Sequence, residues 1–130
     1  MARKNKQTEY ELQKMVCEYV RLQYPEAIFM SSLNGIKLTI GQAKKAMALQ
    51  SKDKYPDFFL AMPRGVYHGL FIEFKKSREE IYCKNGEIRK SKHLESQCNT
   101  LNKLSLIGYC TAIEYDFYSA KNTIDRYMCR

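Results

Sequence analysis

Asp57 directly follows Pro56 and opens an apolar run, and sixteen residues later Glu73 precedes Phe74 and Lys75 at the close of a second run, Gly69-Leu70-Phe71-Ile72. The layout is P-D followed by E-x-K. Side chains alternate along a strand, so a strand through this segment turns Glu73 and Lys75 to one face and Phe74 to the other. Two carboxylates and an ammonium then converge. Carboxylates gathered inside an apolar frame are costly unless a cation neutralises them, and an all-oxygen donor set favours a hard ion, Mg²⁺ or Mn²⁺. Such an ion generates hydroxide from water and polarises a phosphate. Lys75 would position the attacking water or offset the charge that develops on phosphorus. This spacing arises by accident in roughly one chain of this length in twenty, so its flanks matter. Segments 57–62 and 69–74 are both short, aromatic-rich and apolar, joined by the turn-like Pro63-Arg64-Gly65, and this puts the acids where strands meet solvent. The competing reading makes Glu73 and Lys75 an ordinary ion pair on a solvated sheet edge.

The elements that must hold these residues follow from periodicity. Thr8-Glu9-Tyr10-Glu11 has the form of a capping box, and Leu12, Met15, Val16, Tyr19 and Val20 make a helical apolar stripe limited by Pro25. Glu9 shares the inward side of that helix at its very start. It could reach a site at the rim of the core, or simply complement the positive end of the helix. Residues 27–30 suggest a short strand ending at Ser31-Ser32, Asn34-Gly35 a turn, and Thr39 the cap of a helix through Gln50. In that helix Ile40, Ala43, Ala46 and Met47 face inward and Lys44 and Lys45 outward. Leu94, Cys98, Leu101 and Leu104 predict a helix over 92–107 ended by Gly108, with Gln97 beside the stripe. A strand over 109–113 and a last helix opened by Ser119, with Ala120, Ile124 and Tyr127 inward, complete the chain. The expected class is α/β, a mixed central sheet flanked by helices, with a parallel crossover between the two later strands.

At 130 residues the chain fits one domain with a single core. A net charge of +8 points to a polyanionic partner, nucleic acid before membrane. No stretch reaches the roughly twenty apolar residues of a membrane span, and the basic N-terminus lacks an apolar signal core, so a soluble cytoplasmic protein is expected. Cys17, Cys83, Cys98, Cys110 and Cys129 are scattered and odd in number, which suits a reducing compartment and suggests neither disulfides nor zinc. His68 and His93 are too few for a histidine-based metal site or a Ser/His/Asp triad. Segment 75–92 is polar and basic, with Lys76, Arg78, Lys84, Arg89, Lys90 and Lys92 and a tight turn at Asn85-Gly86. A mobile cationic loop there would clamp the backbone of a nucleic acid without reading its bases. Lys44 and Lys45 could add phosphate contacts or merely form a solvated face.

On these residues the chain resembles the virus-type replication-repair nuclease (VRR-NUC) family of the PD-(D/E)xK superfamily. The resemblance runs through Glu9 with Gln13, Asn34-Gly35, Pro56-Asp57, the segment from Tyr67 to Lys75, Gln97, and Gly108-Tyr109. It implies a restriction-endonuclease-like core and a metal-dependent deoxyribonuclease. Asp57, Glu73 and the Phe74 carbonyl become metal ligands, Lys75 the catalytic lysine, Glu9 a further acidic site residue and Gln97 a site-supporting residue. Members commonly carry a glycine ahead of the Pro-Asp pair, where Lys54-Tyr55 stand here, and a Ser-Pro-Glu lead-in to the glutamine that this chain lacks. The small stand-alone members, typical of phage, look like homodimers that cut branched DNA such as four-way junctions. Two-fold symmetry would supply paired sites for paired nicks. Two other functions are compatible with the pattern, a non-catalytic nucleic-acid-binding module and a sequence-specific restriction-type endonuclease.

Overall fold

A computed structural model of the chain describes residues 8–33 and 36–130. The expected turn at Asn34-Gly35 lies outside the described residues. Helix α1 (Glu9–Gln23) begins where the capping box places it: the Thr8 hydroxyl accepts from the Glu11 N–H, and the Glu11 carboxylate accepts from the Thr8 N–H. Strand β1 (Phe29–Ser31), helix α2 (Ile40–Ala48), strands β2 (Phe58–Leu60) and β3 (Leu70–Phe74), helix α3 (Lys92–Leu106), strand β4 (Cys110–Glu114) and helix α4 (Phe117–Met128) follow. A single 3₁₀ turn, Arg78–Glu80, interrupts the basic segment.

The four strands form one sheet in the order β1-β2-β3-β4. β1 and β2 pair antiparallel, as do β2 and β3, whereas β3 and β4 run parallel through the α3 crossover. A parallel pair needs such a crossover, because no tight turn can join strands of the same direction. The mixed sheet expected from the sequence is thus the observed one.

Every residue of β3 is buried, as expected of a central strand covered on both faces. Leu70, Ile72 and Phe74 join Phe58 and Leu60 in a core with Leu12, Val16 and Val20 of α1 and Ala120, Ile124 and Tyr127 of α4. Truncating a ring such as Phe74 to alanine there would cost about 3–5 kcal/mol. On the opposite face Phe71 stacks on Phe59 with ring centroids 4.3 Å apart, and Tyr55 and Tyr109 meet Phe71 edge-on. Gly69 permits this stack, since a Cβ there would lie 2.7 Å from a Phe59 ring carbon and 2.9 Å from the Leu60 carbonyl oxygen. Gly108, at φ +103°, turns the chain out of α3 into β4 and leaves room for the His68 ring.

Several expectations need correction. Met15 is 41% exposed, because the buried face of α1 runs through Leu12, Gln13, Val16, Cys17 and Val20. α2 ends at Ala48 and buries none of its residues; Ile40 and Met47 point to solvent because no element among the described residues covers that face. α4 opens at Phe117, where Asp116 instead of a serine caps the helix by accepting from the Ser119 N–H. β2 is shorter than its apolar run, and β4 sits one residue later than expected. The basic segment is also more built than a free loop. Ile81 is buried, Tyr82 and Ile88 form a bridge, and Gly86, at positive φ, completes the turn at Asn85.

Candidate active site

Three elements deliver the proposed residues to one place. Asp57 enters from the segment that leads into β2, Glu73 stands at the end of β3, and Gln97 projects from the second turn of α3. Asp57, Glu73 and Gln97 are each 3–4% exposed, and Lys75 is 6% exposed. These acids are therefore interior groups, not residues at a strand–solvent boundary. The sheet is covered on the Glu73 side by α3, which takes that face out of water.

The contacts are specific. The Phe74 N–H donates to Asp57 Oδ2 at 2.8 Å, fixing the Asp57 carboxylate against the β3 backbone. Gln97 Nε2 donates to Glu73 Oε1 at 2.6 Å. The Asp57 side chain lies within hydrogen-bonding reach of the Glu73 carboxyl, and burial, then the charge of Asp57 and then that hydrogen bond push Glu73 up to about 9. Lys75, on the same side of the strand, acts in the opposite direction on Glu73 but does not overcome burial. Glu9, at the start of α1, feels the same cluster. Burial, followed by the charges of Asp57 and Glu80, raises it above the ordinary carboxyl range. Glu9 stands in the first turn of α1 and within the field of Asp57 and Lys75, so both sequence readings of it, helix-end charge and rim residue, keep a physical basis.

Two buried amide atoms have no partner among the described residues, Gln97 Oε1 and Gln13 Nε2. An orphaned buried acceptor beside two crowded carboxyl groups is the donor chemistry a hard divalent cation satisfies. No group of three or more His, Cys, Asp or Glu side chains that could cage an ion occurs among the described residues. A site of two carboxylates and a backbone carbonyl suits an ion such as Mg²⁺, which keeps much of its water shell. Gln13 sits one helical turn after Glu9, so both occupy one face of α1. The sequence marked it only as a companion of Glu9; an amide inside an apolar stripe was the available signal.

The basic residues divide. Arg89, Lys90 and Lys92 line a hollow of about 550 Å³ with Ile88, Leu94 and Cys98 at the start of α3. Arg89 is tied back by its Nε–H to the Glu79 carbonyl, and Arg78 lies 4.9 Å over the Tyr82 ring. Lys76 pairs with Glu80 at 3.7 Å. Lys84 is exposed within the turn that the Gly86 N–H closes on the Cys83 carbonyl, and Lys44 and Lys45 are exposed on α2. The 76–92 cations thus lie on the segment leaving Lys75, and Lys44 and Lys45 on the separate helix α2.

No family model and no curated protein matches the sequence. Among solved structures, a VRR_NUC domain protein superposes with a TM-score of 0.61 at 22% identity, covering 96% of this chain and 91% of that chain. The chain therefore shares the fold of that VRR_NUC domain protein, a mixed four-stranded sheet flanked by helices.

Proposed function

We propose that this chain, built on that nuclease fold, is a divalent-metal-dependent DNA endonuclease that hydrolyses phosphodiester bonds, with branched DNA such as four-way (Holliday) junctions as its substrate. The observation that carries the reading is the Asp57–Glu73 pair, two carboxyl groups pressed together in the interior and braced by Gln97 and the Phe74 N–H. Replacing such a pair by apolar residues would cost the fold little, so its retention suits a ligand that repays the crowding. Asp57, Glu73 and the Phe74 carbonyl would hold Mg²⁺ or Mn²⁺, with Gln97 orienting Glu73. Bound there, the ion would supply an activated water and polarise the phosphoryl oxygen.

The remaining work falls to the chain's own groups. Lys75 holds positive charge beside the carboxyl pair, where the phosphate would gain negative charge. Glu9 would accept a hydrogen bond from a water at the rim. Lys76, Arg78, Lys84, Arg89, Lys90 and Lys92 would fix the backbone without reading base edges, which leaves selectivity to branch geometry and deformability. Lys44 and Lys45 would extend that contact from α2. Residues 1–130 would act as one domain in a reducing cytoplasm. No helix among the described residues is long and apolar enough to cross a membrane. A homodimer is supported by α2, whose Ile40 and Met47 are 79% and 73% exposed on a well-capped helix that a second copy would cover.

Labelled four-way junction, linear duplex and single strand, each incubated with Mg²⁺, Mn²⁺ or EDTA, provide the test. Metal-dependent nicking of the junction, lost in Asp57→Asn, Glu73→Gln and Lys75→Ala with binding retained, is the expected result. Binding without cleavage in any metal would show a non-catalytic module instead, and cuts confined to one short sequence regardless of branching a restriction-type enzyme. Light scattering that returns a monomer mass at micromolar concentration would overturn the dimer.

A further inference from the structure

Lys54 and His93 meet across the mouth of this site. Lys54 stands three residues before Asp57, and His93 lies one helical turn before Gln97 on the same face of α3. The Lys54 ammonium donates to His93 Nδ1 at 2.7 Å. The pair thus joins the two segments that carry Asp57 and Gln97 into the interior. Both side chains are exposed, and neither forms a salt bridge among the described residues. The hydrogen bond holds the ammonium in place at the surface with no carboxylate paired to it among the described residues, so its charge is available to an anion.

The pair also lies in the field of the site. His93 is held below the ordinary imidazole range by partial burial and then by Lys54 and Lys75, with Asp57 and Glu80 acting the other way. Lys54 Nζ lies 2.7 Å from Nδ1 and 3.4 Å from Nε2; with Nδ1 as the acceptor, the imidazole proton is on Nε2, and the pair offers its remaining ammonium protons and that ring N–H as donors. Both suit a phosphate oxygen, and the ammonium adds charge to the contact.

We infer that Lys54 and His93 form a second phosphate subsite, which grips a phosphate of the substrate strand adjacent to the one placed at the Asp57–Glu73 pair. The inference rests on the nuclease reading for where the strand lies. A strand whose reacting phosphate is at the carboxyl pair runs past the first turn of α3, where His93 lies about 6 Å from Gln97 along the helix axis, and there the two donors hold its neighbour. The subsite fixes the register of the strand before any chemistry occurs.

The test measures binding in EDTA by fluorescence anisotropy, using a junction series in which single phosphates are replaced in turn by neutral methylphosphonates. The wild-type chain should lose about tenfold affinity at one internal position near the branch, and Lys54→Ala/His93→Ala should lose nothing further at that position while matching the wild-type losses elsewhere. Lys54→Ala alone should reduce the slope of log affinity against log salt by about 1, and His93→Gln should retain part of the affinity that His93→Ala loses. Junctions with and without 5′-phosphates separate an internal diester from a terminal phosphate as the ligand. Circular dichroism of each variant checks that these exposed substitutions leave the fold intact. The inference is overturned if the variants bind with wild-type affinity and salt slope, or if every methylphosphonate weakens the double variant by the same factor as the wild type. Wild-type binding without cleavage in Mg²⁺ or Mn²⁺ would sink the nuclease reading and leave the subsite standing. Cleavage with no position-specific coupling would sink the subsite alone.

Discussion

Helix α1 has a carboxyl cluster at each end, and the two are opposites. Near its C-terminus Asp125 of α4 accepts from Tyr19 Oη at 2.6 Å, Tyr24 Oη at 2.7 Å and Lys121 Nζ at 2.9 Å. Burial there works against the charged form, but these three donors outweigh it and hold Asp125 below the ordinary carboxyl range. Near its N-terminus Glu9 faces Asp57 and Glu73, where burial and neighbouring negative charge raise both glutamates. One cluster is saturated with donors and closes the α1–α4 contact. The other is short of positive charge and keeps an orphaned acceptor, Gln97 Oε1. The first has the character of a structural clamp, the second that of the proposed metal site. Their difference can be broken by substitution, starting at the unsatisfied end.

The largest effect belongs to the carboxyl pair. Asp57→Asn or Glu73→Gln should reduce metal-dependent cleavage by at least on the order of 10³-fold while the metal-free protein at neutral pH melts no lower than wild type, since each amide keeps the carboxyl group's shape and Glu73, held up to about 9, is already neutral there. Activity assays paired with thermal melts check this, and a melting temperature that collapses in both variants would mark the pair as structural. Gln97→Ala should weaken metal binding by about 10–100-fold, the usual effect of losing a group that orients a ligand. Calorimetric titration with Mn²⁺ measures it.

At the saturated end the signs reverse. Asp125→Ala leaves two tyrosine hydroxyls without their acceptor and should cost about 1–3 kcal/mol, read by denaturant unfolding, with cleavage per folded molecule unchanged. Loss of cleavage in a fully folded Asp125→Ala protein would show that the clamp reaches the chemistry.

The two ends should also separate by pH. The depressed Asp125 contributes stability that is complete above its unfolded value of about 3.8 and is lost as pH falls through its lower folded value. Glu73 runs the other way. Its folded value, about 9 against 4.5 unfolded, gives stability that is full below 4.5 and falls as pH rises toward 9 in metal-free protein. Melts in EDTA across this range should therefore decline for wild type and decline less for Glu73→Gln. Added Mn²⁺ should recover the loss with release of a proton, which titration in two buffers of different ionisation enthalpy detects.

How much of this contrast the sequence carried depends on distance along the chain. The Thr8–Glu11 box spans three residues and could be read directly, as could the P-D and E-x-K pattern, because each strand segment has its own period. The resemblance, not periodicity, marked Gln97 as a partner of the site; helical spacing placed it only beside a stripe. The Asp125 clamp was invisible, since it joins residues 101 and 106 positions apart; the stripe that holds Tyr19 says nothing of its hydroxyl's partner, and nothing local to Tyr24 or Asp125 distinguishes them from surface residues. Met15 and Met47 failed for a related reason. An apolar residue at helical spacing shows which face it shares, but what covers that face is decided by other elements, and α2 lacks a cover within the described chain.

The smallest effect tests Glu9, the residue that links the two ends through one helix. Its carboxyl group is only half-buried and contributes to the site through charge, so Glu9→Gln should lower cleavage by about tenfold, the weak end for a supporting group. The same change removes a neighbour that raises Glu73, so Glu73 should release its proton at lower pH and the pH–rate profile should shift acidward with it. Tyr24→Phe is the matching change at the far end of α1. It deletes one hydroxyl from the Asp125 clamp and should cost about 1 kcal/mol with no movement of the pH profile. A profile that shifts equally in both variants would mean that α1 acts on the site only by its position, and that the Glu9 charge has no part of its own.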